Sequence, residues 1–269
     1  MIDIAVVTVT FNAEQDIEVT LKSVLEQNYK NLSYVVMDGG SSDGTISIIN
    51  SYKEALLKKG IALQVISEKD NGIYNAMNNS LKYINSEYVL FLNAGDYFTD
   101  ANTISAIFND SNILEYDVIY GDYYLYYQNY RKYVESLSYI MLPNQMISTH
   151  QSFFVKTGLL QNRPYNECYK MAADYDFFLE MFLKGKSFFH VNVPVVYFKT
   201  EGISQQKALL TQQELLDIQC KYIGMSNAKK FYKMCCIPFI CVKKILLNII
   251  PKNIRYLKYK RWQNGTNKA

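Results

Sequence analysis

The 269-residue chain is 49% hydrophobic and 20% charged, enough apolar material for a sizeable core and too little charge for a disordered chain. Its net charge of +3 joins two unlike parts: residues 221–269 hold twelve Lys or Arg and no acid, and residues 1–220 hold 16 basic against 25 acidic side chains. Five cysteines, an odd number, and only two histidines, His150 and His190, argue against a disulfide framework or a zinc site and for reduced thiols.

Residues 2–9 are apolar and β-branched without helical period, which predicts a buried parallel strand. No basic leader precedes this run, so it reads as a first strand and not as a signal peptide, and secretion is not expected. Ile17, Leu21, Val24 and Leu25 fall at helical spacing and predict a helix over 13–27. A second strand over 32–37 runs into Asp38-Gly39-Gly40. Then come a helix over 45–59, a strand over 62–66, a helix over 73–84 and a strand over 88–92. This alternation predicts an α/β fold: a mostly parallel sheet with helices on both faces and ligands at the carboxyl ends of the strands.

After Asp96 the pattern changes. A helix near 102–108 precedes a tyrosine-rich, alternating stretch over 118–139, as in antiparallel strands; a helix over 174–184 and a strand over 188–198 follow. The expected organisation is one domain over 1–210, in halves 1–98 and 99–210, and a helical basic tail over 211–269.

The segment DGGSSDGT at 38–45 follows a strand and precedes a helix. Its glycines permit a sharp turn and close backbone approach to a ligand, although an ordinary strand-to-helix turn has the same composition. No Walker A and no GxGxxG sequence is present. With VTVTFNAE at 7–14, SEKDNGIYNAMNNS at 67–80, FLNAGD at 91–96, HQSFF at 150–154 and AADYDFFLEM at 172–181, the motifs resemble glycosyltransferase family 2 in the family's order. The nearest likeness is to the branch of WcaE-type colanic-acid, O-antigen and capsule transferases, and it covers roughly residues 2–205.

The resemblance implies the GT-A fold, a Rossmann-like nucleotide-sugar half (1–98) and an acceptor half (99–210). It places Thr10, Phe11, Asp38, Asp70, Asn78 and Asn93 at the donor, with Phe11 near the base and Asp38 reading uracil or ribose. Met77 stands where the family often has arginine, so that arginine's contacts do not transfer. The family's Asp-x-Asp metal motif is reduced here to Asn93-Ala94-Gly95-Asp96, leaving Asp96 as the carboxylate for Mn²⁺ or Mg²⁺. Such an ion neutralises the departing diphosphate and takes oxygen ligands.

The family's base is matched by Asp174, preceded by Ala173 in place of the usual Glu. Asp176 is a second choice, and Asp174 would equally serve as a helix cap. The resemblance brings His150 and Gln151 to the metal, diphosphate or acceptor. His190 reads as structural, and residues 200–204 resemble a loop closing over the donor. Nine tyrosines between Tyr116 and Tyr139 suit either sugar stacking or cross-strand pairing.

In residues 235–262 apolar clusters alternate with lysine and arginine. Pro238 and Pro251 interrupt a stretch too short to span a bilayer. This suits an interfacial helix on an anionic membrane surface, or a helix packed on the body; no motif supports nucleic acid. Together the readings imply an inverting enzyme, cytoplasmic and peripheral on the inner face of the cell membrane. It moves a sugar from a nucleotide-sugar donor, UDP-hexose by preference, to an undecaprenyl-diphosphate-linked saccharide in bacterial surface polysaccharide synthesis. A sugar nucleotidyltransferase would need a Gly-rich loop with Arg and Lys near the first strand, which is missing. The reduced metal motif leaves open a degenerate binding or scaffold subunit.

Overall fold

The computed structural model describes residues 2–109, 111–127, 130–200 and 207–224. Nine strands among them form one sheet, opening with β1 (Ile4–Thr10), β2 (Leu32–Asp38), β3 (Ala62–Ser67) and β4 (Tyr88–Phe91). These four are mutually parallel in the order β3-β2-β1-β4. Register aligns Thr10 with Asp38, and Asp38 with Ser67, so the carboxyl ends are level and their side chains meet at one edge.

The unbroken apolar run of β1 has a simple cause: both of its faces are covered. Ala5, Val7 and Val9 join the core formed with Tyr74 and Met77 of α4 (Ile73–Ser80) and with Phe177, Phe178 and Met181 of α7 (Ala173–Leu183). Ile4 and Val6 face the other way, against Ile17, Leu21 and Val24 of α1 (Ile17–Leu25) and Ile104 and Ile107 of α5 (Thr103–Phe108). The predicted helix over 45–59 is two helices, α2 (Thr45–Ser51) and α3 (Lys53–Lys59). At the joint the Tyr52 N–H bonds to the Ile49 carbonyl, three residues back, and tightens the turn without opening a loop.

Beyond β4 the sheet is mixed. β8 (Phe153–Lys156) is antiparallel to both β4 and β6 (Val118–Tyr127), and β9 (Phe188–Lys199) lies parallel to β6 with register shifts between Gly121 and Tyr123. β5 (Tyr97–Phe98) edges β9, and β7 (Tyr130–Val134) pairs β6 as a hairpin. The tyrosines of this region stack across strands: Tyr197 lies 4.8 Å from Tyr97 and 5.0 Å from Tyr124, ring to ring, with the Arg131 guanidinium 4.6 Å from its centroid. Cross-strand pairing is their observed role.

Two further helices complete the described chain, α6 (Thr157–Asn162) and α8 (Ala208–Ile223). α8 is locked to α7 by charge. Asp176, fully buried, accepts from Arg163 and from Lys221 Nζ at 3.2 Å. Glu180 accepts from Arg163 Nε at 2.8 Å and from the Tyr222 hydroxyl at 2.9 Å, and pairs with Lys184 at 2.7 Å. No described helix is long and apolar enough to cross a membrane. Residues 201–206, which include most of the 200–204 stretch expected to close over the donor, and the basic stretch from 225 to 269 lie outside the described residues.

Burial alone would raise the Glu180 carboxyl, but hydrogen bonds from Lys184 and Tyr222 and the Arg163 charge outweigh it and hold the group down at about 2. A depressed acid adds stability above its unfolded value of 4.5 and loses it as pH falls toward 2. Acid titration of wild type should therefore lose stability across that window, and Glu180→Gln should lack this component while being less stable at neutral pH. Identical acid profiles for the two proteins would contradict the assignment.

Candidate functional site

The carboxyl edge of β1 to β4 gathers most of the expected donor residues. The first two loops brace each other: Asn12, at φ 46°, donates its backbone N–H to Ser41 Oγ at 2.8 Å, and its side-chain oxygen accepts from the Ser42 N–H at 2.9 Å. Asp38, at the tip of β2, is 2% exposed. Its carboxylate accepts from the N–H groups of Gly40 (3.1 Å) and Ser41 (3.0 Å), from Ser67 Oγ (2.6 Å) and from Ser41 Oγ. The acid thus holds the glycine loop in shape.

On the outside of that loop the surface is open. Phe11 is 63% exposed, an uncommon condition for a ring at a strand tip. A Cβ added to Gly39 would lie 2.7 Å from Asp70 Oδ2 and 3.4 Å from the Phe11 ring. Glycine at 39 therefore lets the ring, the backbone and the Asp70 carboxylate meet without displacing Asp70, whose other oxygen accepts from the Gly72 N–H at 2.8 Å. Thr10 is buried beside them with an unpartnered hydroxyl. Asn78 lies apart from this group: its amide bonds the Tyr165 carbonyl, the Tyr165 N–H and Glu167 Oε1, each at 2.9 Å, and so braces the segment before α7.

Asn93 to Asp96 form a turn closed by the Asp96 N–H on the Asn93 carbonyl at 3.0 Å, with Gly95 at φ 95°, a conformation that favours glycine at its third position. Thr20 of α1 straps the turn, donating to the Asp96 carbonyl at 2.7 Å and accepting from the Gly95 N–H at 2.9 Å. Asp96 is 4% exposed; its oxygens accept from the Lys199 N–H at 2.8 Å and Gln151 Nε2 at 2.7 Å. Burial pushes its carboxyl up to about 7, against the pull of that N–H and of His150.

The two halves meet at His150. Asn93 Nδ2 lies 3.1 Å from His150 Nε2, and His150 Nδ1 lies 3.3 Å from Asp174 Oδ2. An amide nitrogen only donates, so Nε2 accepts and the imidazole proton faces Asp174. Asp174 Oδ1 accepts from the Tyr74 hydroxyl at 3.1 Å and from the Tyr175 N–H at 2.8 Å. Burial and the Asp174 charge together raise the Tyr74 phenol well above its ordinary value, so it remains a donor. Asp176 is buried in the ion-pair network below, and His190 bonds Asp122 at 2.8 Å within the tyrosine half; neither reaches this group.

One residue had no signal in the sequence. Glu214 of α8 is 7% exposed and accepts from the backbone N–H groups of Lys170 (2.8 Å), Met171 (2.8 Å) and Ala172 (2.9 Å). It grips the strand of chain that leads directly into Asp174.

The family model described as Glycosyl transferase family 2 matches residues 5–172. A PGL/p-HBAD biosynthesis glycosyltransferase of Mycobacterium bovis is 29% identical over 182 residues, 66% of this chain and 69% of the relative. The UDP-Glc:alpha-D-GlcNAc-diphosphoundecaprenol beta-1,3-glucosyltransferase WfaP of Escherichia coli is 28% identical over 127 residues, 46% of each chain. Among solved structures, S. aureus TarS 1–349 in complex with UDP superposes with a TM-score of 0.62 at 19% identity, covering 85% of this chain and 68% of that one. The mannosyltransferase PcManGT from Pyrobaculum calidifontis, in complex with GDP-Man and Mn²⁺, gives a TM-score of 0.64 at 16% identity, covering 100% of this chain and 83% of that one. The fold is that of the GT-A glycosyltransferases.

Removing the Glu214 carboxylate leaves three N–H groups without their acceptor. Glu214→Ala should cost about 2–3 kcal/mol of stability in urea or thermal unfolding, and Glu214→Gln should recover part of it. An unchanged midpoint in the alanine variant would show that water replaces the clasp at no cost.

Proposed function

Because the chain belongs to glycosyltransferase family 2, we propose that it transfers a sugar from a nucleotide-diphosphate donor, a UDP-hexose by preference, to a saccharide carried on a lipid diphosphate, with inversion at the anomeric carbon. The observation that carries the reading is Asp174, held at the junction of the two halves by Tyr74 and His150 beside the strand tips that would receive the donor. The pathway favoured by the motifs is bacterial surface polysaccharide synthesis. The named lipid-linked acceptor of WfaP and the basic stretch after residue 224 both support a peripheral position on the membrane's inner face.

In this reading Phe11 stacks on the base, Asp70 and the Gly39 backbone lie along the ribose, and Asp38 acts by shaping their loop. Asn78 acts on the donor side through the segment it braces. The acceptor hydroxyl attacks the anomeric carbon as the bond to the diphosphate oxygen breaks. Its proton passes to Asp174, and the electron pair of the broken bond leaves on the nucleoside diphosphate. Hydrogen bonds from the Tyr74 hydroxyl and the Tyr175 N–H, with the His150 ring against its other oxygen, keep the carboxylate aimed.

The residues at the strand-four turn fit a divalent ion that draws most of its ligands from the donor. Asn93 Oδ1 is a buried oxygen with no partner, and a carboxylate such as Asp96 has lone pairs beyond its two hydrogen bonds. Asn93 and Asp96 would hold Mn²⁺ or Mg²⁺ there, with Gln151 orienting Asp96, and the ion would offset the charge of the departing diphosphate.

Asp174→Asn should lower the transfer rate by at least about a hundredfold while leaving nucleotide affinity within about twofold; wild-type turnover in that variant would move the base elsewhere. Thermal-shift titration with UDP, GDP, CMP and dTDP, each with and without Mn²⁺, should give the largest stabilisation with UDP plus Mn²⁺, and Phe11→Ala should diminish it. A larger shift with another nucleotide would replace the donor class, and a shift indifferent to Mn²⁺ would remove the metal from the donor site.

A further inference from the structure

Four of the five residues from 137 to 141 are large and apolar, and all four are well exposed: Leu137 41%, Tyr139 36%, Ile140 64% and Met141 38%. The turn is nonetheless rigidly tied. Leu142 behind it is fully buried, the Leu137 N–H bonds the Ile147 carbonyl at 2.9 Å, and Tyr120 and Tyr175 donate to the carbonyls of Leu137 and Leu142 at 3.0 and 2.8 Å. A fold that fixes an apolar turn in the open is presenting it to a partner.

The neighbourhood identifies the partner. Tyr139 packs 6.2 Å from Phe182 and 5.7 Å from Phe188, ring to ring, which puts the turn beside the carboxyl end of α7. There Leu183 is 49% exposed and Lys184 and Lys186 follow it. α8 runs alongside α7 in the same direction: Glu214 meets residues 170–172, Gln219 meets Tyr175, and Tyr222 meets Glu180. It therefore ends on the same side, where Ile223 is 41% exposed, and the sequence beyond Gly224 carries eleven Lys or Arg and no acid. Exposed aliphatic side chains beside Lys186 and the Glu180-paired Lys184, at the point where a basic segment leaves the body, match the interface of an anionic bilayer.

We propose that Leu137, Tyr139, Ile140, Met141, Leu183 and Ile223 form a membrane-docking face on the catalytic body, separate from the basic segment and acting with it. The proposal rests on the membrane-borne acceptor inferred above and adds the body's own contact with the lipid. Tyr175, in the first turn of α7, donates to the Leu142 carbonyl, so the turn is fastened to the amino end of α7 as well as packed beside its carboxyl end.

The test uses the full chain and co-sedimentation with vesicles of phosphatidylcholine containing about one-third phosphatidylglycerol. Ile140→Asp/Met141→Asp should weaken vesicle partition about tenfold, since two side chains no longer enter the interface. Leu183→Asp, on the other side of the patch, should act in the same direction, and Leu57→Asp, at a 73% exposed leucine on α3, should not. Unfolding midpoints report that each variant is folded. Wild-type partition in both patch variants overturns the proposal. So does a lipid-free dimer of wild type that the double variant abolishes in sedimentation velocity, which would assign the face to a second copy of the chain. Donor hydrolysis in solution reads the active site separately: vesicle binding without any turnover would sink the transferase reading and leave this face standing.

Discussion

The arrangement depends on where Asp174 is held. One of its oxygens takes hydrogen bonds from Tyr74 on α4 and from its own helix, the other lies 3.3 Å from His150 Nδ1 before β8, and Glu214 on α8 grips the backbone just ahead of it. Four separated stretches of chain therefore agree on the position of one carboxylate. An acid in the first turn of the eleven-residue α7 is further favoured by the helix dipole. Such over-determination suits the role proposed for it, because misplacement is costly to a positioned base.

The same links tie the first four strands to the later part of the sheet. β4 pairs β8, so the strand ending in the Asn93 turn is bonded directly to the strand that follows His150. The Asn93 to His150 contact then links the turn after β4 to Asp174 through a single imidazole. Gln151 makes a parallel crossing to Asp96, and the Lys199 N–H reaches the same carboxylate from β9. A shift of β8 and β9 would break three hydrogen bonds at that turn at once.

Much of this was legible in the sequence, for identifiable reasons. Strands covered on both faces read as unbroken apolar runs, and their helices show a clear period, so the first four strands and the helices between them stand where the pattern predicts. The strand tips were legible as a shared edge because the loops there are polar and glycine-rich. What escaped were elements too short to carry a period, β5 with two residues and β8 with four. Side-chain destinations escaped too. Nothing local distinguishes Asp38, saturated by its own loop, from Asp70, whose second oxygen faces Gly39 and the exposed Phe11 ring. Asn78 bonds Tyr165 and Glu167, some ninety residues on, partners that no local pattern names. Glu214 sits forty-two residues from the N–H of Ala172, on a helix whose own pattern says only that it is amphipathic.

Charge gives the docking proposal its physical logic. Residues 1–220 hold 16 basic and 25 acidic side chains, so the long-range field of the body repels both a nucleotide diphosphate and an anionic bilayer. Attraction has to be local. At the donor turn it would come from a bound cation, and at the membrane from the basic segment that follows α8. Screening confines the attraction between that segment and anionic lipid to about 10 Å, so at contact the short-range apolar term decides the pose. The apolar turn at 137–141, rigidly tied on that same side, is what the structure offers for that term.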